Sequence, residues 1–163
     1  MSVTRIGNLS LEPAAEWASQ QAQKLNQPLI CLLPDMQSAR KFLNNLEFFA
    51  NPEIPIIEFP DWEILPYDRF SPHEDIISER LRVLNLIPKL NKGIIVLTIQ
   101  TALLKIPPKS HVLDQSFDFK IGEKFNLLDN KKKLERAGYN QVSQIQAKGE
   151  YAQRGAILDI FPM

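Results

Sequence analysis

Residues 28–35 read PLICLLPD, and the reading of this run decides the fold. Five consecutive apolar residues between two prolines are too few for a buried helix. They match a strand covered on both faces, the kind found in parallel sheets. Asp35 closes the run and is placed to cap a following helix, in which Ala39, Phe42, Leu43, Leu46 and Phe49 form one apolar stripe.

Working outward, EPAAEWASQQAQKL (12–25) carries Ala14, Trp17, Ala18, Gln21, Ala22 and Leu25 at helical spacing, with Pro13 suited to a first turn. IPIIEF (54–59) and GIIVLTI (93–99) are two further strands, the latter fully buried in pattern. Between them DIISERLRVLNLI (75–87) predicts a helix with Ile77, Leu81 and Leu84 on its inner face, and QTALLKI (100–106) begins another. Strands alternating with helices predict an α/β fold: a parallel sheet with helices on both faces, joined by right-handed crossovers.

Past residue 110 the pattern changes. FDFKIGEKF (117–125) alternates as a half-exposed strand. NLLDNKKKLERAGY (126–139) reads as one helix, capped by Asn126 and stopped by Gly138 in a left-handed conformation. QVSQIQAKGEYAQRGAILDIFP (141–162) reads as two strands, with a bend or hairpin at GEYAQRG. Two units are therefore expected: 1–112, an α/β half-domain, and 113–163, a small α+β domain. One helix and three strands make a small domain, and the run halts at FPM directly after a strand. The sequence is accordingly expected to be a piece of a longer protein.

Composition narrows the function. The 163 residues are 44% hydrophobic and 23% charged with zero net charge, an ordinary globular balance without the basic excess of a non-specific nucleic-acid binder. Cys31 is the only cysteine, which excludes an internal disulfide and a cysteine zinc site and fits a reducing, cytoplasmic setting. The start, MSVTRIGNLSLEP, has no apolar run of signal-peptide or membrane-span length.

Catalytic motifs are sparse. The segment before the first helix, IGNLSLEPAA, holds a lone Gly7 and no glycine-rich phosphate loop with its lysine, so no bound nucleotide is expected there. Asp159 in ILDI is not by itself a magnesium-binding strand end. His73 and His111 are far apart and read as solvated loop residues, and Ser71 and Ser78 lack nucleophile-elbow glycines. Glu74, Asp75 and Glu79 favour the positive end of the helix they open. Lys131, Lys132 and Lys133 read as a solvated helix face, since no aromatics are interleaved with them. Arg154 stands apart. In YAQRGAILDIF it sits at a strand end, where its planar fork suits either a partner carboxylate or an internal pair with Glu150 or Asp159.

DWEILPYDRFSPHEDIISERL, LERAGY and GEYAQRGAILDIFPM, in that order and with PLICLLPDMQSARKF before them, resemble the N-terminal region of the bacterial transcription-repair coupling factor (Mfd) family. That region is in turn similar to part of the excision-repair protein UvrB. The resemblance implies a RecA-like half-domain of degenerate P-loop NTPase type (1a) and a domain 2 that docks the damage sensor UvrA, with Arg154 on the docking surface. It also implies that domain 1b and the rest of domain 2 lie past Met163. Two departures from UvrB are visible: NLSLEPAA replaces the Walker A loop, and YDRF runs into SPHEDIISERL with no room for a DNA-clamping hairpin. The expectation is a non-catalytic interaction module without cofactor, membrane contact or small-molecule substrate. ATP, magnesium, DNA and RNA polymerase would be engaged by domains outside this chain. The competing expectation is a degenerate domain that still binds ATP, and a third is DNA binding through Lys131–Lys133. In the leading reading DWEILPYDRFSPHEDI is scaffold, a proline-stiffened crossover.

Overall fold

The structure is a computed structural model that describes residues 3, 5–64, 69, 71–114, 117 and 119–162. The chain separates into two compact units, Met1–Val112 and Leu113–Met163. The first holds α1 (Leu11–Lys24), β1 (Leu29–Leu33), α2 (Met36–Phe49), β2 (Ile56–Glu58), α3 (Glu74–Leu86), β3 (Ile94–Thr98) and α4 (Ile99–Leu103). A short helix not anticipated from the sequence, α5 (Lys109–Asp114), follows, then α6 (Leu127–Arg136), β4 (Asn140–Gln141), β5 (Glu150–Arg154) and β6 (Ile157–Phe161). Among the described residues, no helix is long and apolar enough to cross a membrane.

In the first unit all pairings are parallel and the strand order is β1-β3-β2, so β3 is central. Strand register places Leu33, Ile94 and Val96 on one face, where they pack with Ala15, Ala18 and Ala22 of α1 and Ala39, Phe42 and Leu46 of α2. The alanines allow close helix approach, and Ser19, buried among them, donates its hydroxyl to Phe49 O at 3.0 Å. Asp35 caps α2 as expected, accepting from Ser38 N at 2.8 Å, an arrangement that holds its carboxyl below the usual range. The opposite face carries Ile57, Phe59 and Ile95 against Val83 of α3.

Three expectations about this unit need correction. β1 is an edge strand, and Ile30 and Leu32 are 61% and 52% exposed because α3 covers only the β2–β3 half of that face. Trp17 is exposed, and the α1 stripe runs through Ala15, Ala18, Ser19 and Ala22 instead. On α3, Leu81 is 45% exposed whereas Arg80 and Val83 are buried.

Arg80 explains the rotated face. Its guanidinium lies between the rings of Phe59 and Trp62, 4.3 and 4.2 Å from their centroids, and donates to Pro60 O. Aromatic faces and a backbone carbonyl thus take the place of a carboxylate partner. The loop that leaves β2 is thereby clamped to α3. Positions 65–68 and 70 of the loop lie outside the described residues, as does the Glu74 side chain of the acidic cluster. His73 caps α3, its Nδ1 accepting from Asp75 N at 3.3 Å.

In the second unit, none of the described residues of 117–125 is in a strand. Gly122, at φ 86°, turns the chain, and Phe117, Phe119, Phe125 and Tyr139 gather their rings at 5.5 to 6.4 Å instead of joining a ladder. The α6 prediction agrees with the structure. Asn126 accepts from Asp129 N, and at the far end Gly138 N and Tyr139 N donate to Glu135 O and Leu134 O around Gly138 at φ 88°. The expected pair of strands is a trio, with β4 parallel and β6 antiparallel to β5. GEYAQR is mostly strand, and the hairpin turn is Gly155–Ala156. Gly155, at φ 60°, takes the first central position of a two-residue loop, where glycine is favoured.

Candidate partner-binding face

β5 presents two different faces. Tyr151 is fully buried, and its hydroxyl donates to Glu135 Oε1 of α6 at 2.9 Å. Desolvation, then the adjacent Glu135 carboxylate, pushes the phenol up to about 12. Gln153, two residues on, accepts from Lys131 Nζ at 3.2 Å and donates to Gly155 O at 3.0 Å. Lys131 is therefore half-buried and engaged, whereas Lys132 and Lys133 are exposed. These contacts fix Tyr151 and Gln153 toward α6.

Side chains alternate along a strand, so Glu150, Ala152 and Arg154 take the other face. Their cross-strand partners are Phe161, Asp159 and Ile157. Glu150 is engaged within the unit: its Oε2 accepts from Gln146 N and Ala147 N at 2.7 and 2.9 Å, which lowers its pKa. Arg154 is exposed and, among the described residues, joins no ion pair, with Glu150 or with Asp159. Its cross-strand neighbour Ile157 is 63% exposed, and Phe161, at the far end of the hairpin opposite Glu150, is 42% exposed. One face of a two-stranded hairpin thus combines an unpaired guanidinium, an exposed carboxylate and two large apolar side chains. Ala152, at the centre of this face, is buried, so the exposed groups lie toward its two ends, Arg154 with Ile157 at one and Phe161 at the other. Ile157 and Phe161 were missed by sequence reasoning, although their period-2 spacing with Asp159 placed them on one face.

Asp159 lies in β6 and His111 in α5, in different units, and among the described residues no three His, Cys, Asp or Glu side chains gather as a metal would require. Cys31 is half-buried, and desolvation pushes its thiol up to about 11.

Residues 117–163, which include this whole face, match the UvrB interaction domain family. Over 97% of its length the chain is similar to the transcription-repair-coupling factors of Escherichia coli K12, at 34% identity, and Haemophilus influenzae, at 38%. The chain matches the N-terminal region of transcription-repair-coupling factors. The factor of Borreliella burgdorferi is 28% identical over 82% of the chain. The chain spans about 14% of the length of the coupling factors from E. coli and H. influenzae.

Proposed function

We propose that this chain is the non-catalytic docking module of a transcription-repair coupling factor, and that the β5–β6 hairpin recruits UvrA, with Arg154 as a contact residue. The exposed, unpaired state of Arg154 beside Ile157, inside a segment that matches a UvrB interaction domain, carries this reading. An exposed arginine beside an apolar side chain can gain a bidentate carboxylate contact that offsets its desolvation as docking excludes water. The first unit is then a RecA-like half-sheet of degenerate P-loop type acting as a mount. At the C-terminal ends of its strands Asp35 and Thr98 are engaged in capping helices, and Asp61 accepts from Thr98 Oγ1 and Trp62 N. In the whole protein, which works in the cytoplasm, ATP-driven translocation with magnesium and the engagement of DNA and RNA polymerase belong to domains outside this chain.

Titration calorimetry with purified UvrA tests the reading. Arg154→Ala is expected to weaken binding by about 1–3 kcal/mol with the circular dichroism unchanged. Unaltered affinity in a folded variant removes Arg154 from the surface.

A further inference from the structure

The first unit has a second open feature, at the edge of the parallel sheet farthest from β1. Among the described residues β2 pairs only with β3. Ile94 N donates to Pro55 O and Phe59 N donates to Val96 O, both at 2.9 Å. In a parallel ladder alternate residues bond to the same neighbour, so Pro55, Ile57 and Phe59 serve β3. The backbone N–H and C=O of Ile56 and Glu58 therefore point the other way, where among the described residues no strand pairs with them.

That edge borders a groove of about 370 Å³ lined by Arg40, Leu43, Asn44, Glu47, Ile56 and Glu58. The four α2 residues follow helical spacing and form one wall. Leu43 and Ile56 are partly buried and supply an apolar floor. Arg40, Glu47 and Glu58 line it as charges, and among the described residues none of the three is in an ion pair. Two carboxylates against one guanidinium leave the groove anionic.

We propose that this corner binds an extended peptide segment of alternating apolar and cationic residues, added to β2 as a further strand. The main chain of the peptide would take up the outward N–H and C=O groups of Ile56 and Glu58, and its lysines or arginines would meet Glu47 and Glu58. The site is independent of the UvrA-facing surface proposed above, because it lies in the other unit and uses different residues.

The test uses a blocked hexapeptide of alternating valine and lysine, with a valine–glutamate peptide for comparison, followed by amide NMR on the whole chain. The Ile56 and Glu58 amides are expected to shift and to exchange more slowly with the lysine peptide. The double substitution Glu47→Gln, Glu58→Gln is expected to weaken binding roughly tenfold. Ile56→Pro removes an N–H that the ladder does not use, so the fold should survive while binding is lost. Amides at 56 and 58 that ignore the lysine peptide would mean that Glu58 merely guards the edge, and would overturn the proposal. So would equal binding of the glutamate peptide, or protection of the same amides by concentration-dependent pairing of two copies of the chain.

Discussion

At residue 80 a guanidinium does work usually given to an aliphatic side chain. Arg80 is 3% exposed and fills the space between Phe59 and Trp62, so its planar face behaves as packing surface while its edge meets Pro60 O. Burial lowers its pKa, partly opposed by Asp61, and the group stays charged. Arg80→Ala is expected to cost about 2–4 kcal/mol in urea unfolding, from the lost stacking and an orphaned carbonyl. Arg80→Lys should cost less than alanine yet more than nothing, because an ammonium keeps the charge and loses the plane. Helical spacing alone could not find this residue, since a charged side chain reads as solvent-facing until the two rings that receive it are known. Tyr151 offers a second check. Its folded-state pKa, about 12, lies above the ordinary value of 10.0, so the neutral phenol favours folding below pH 10 and that contribution is lost as pH rises from 10 toward 12. Ultraviolet difference titration should show one late-ionising tyrosine, absent in Tyr151→Phe.

At the scale of elements, local chemistry and tertiary context divide the outcome. Asp35, Asn126 and Gly138 perform the capping roles that their residue types favour: α2 and α6 begin, and α6 ends, where those residues stand. Such features are legible because the groups that satisfy one another lie within five residues. The 117–125 run shows the reverse. Its alternation is genuine, but a strand needs a neighbour with free backbone groups, and Gly122 and the four gathered rings provide a turn and a cluster instead. β2 and β3 meet at Gly93, which sits at φ 153°, where an added Cβ would come within 3.1 Å of Pro55 O, itself the acceptor for Ile94 N. Gly93→Ala is therefore expected to destabilise the first unit by about 1–3 kcal/mol, read as a lower midpoint in urea.

For the molecule as a whole, the two readings of its α/β unit make opposite predictions. A ligand that binds only the folded state raises its stability by RT ln(1 + [L]/Kd). A mount without a phosphate loop should show an unchanged Tm in millimolar Mg-ATP by scanning calorimetry. A clear rise would favour nucleotide binding. The sequence by itself determined the parallel α/β character of the first unit, the caps of α2 and α6, and the location of Arg154 at a strand end, because periodicity and short-range hydrogen bonding are written locally. Only the tertiary structure decided that β1 is an exposed edge, that Arg80 is buried, and that Arg154 stands exposed beside Ile157 while Glu150 bonds elsewhere. Burial and pairing depend on which distant surfaces arrive and how far they reach, and no window of neighbouring residues contains that information.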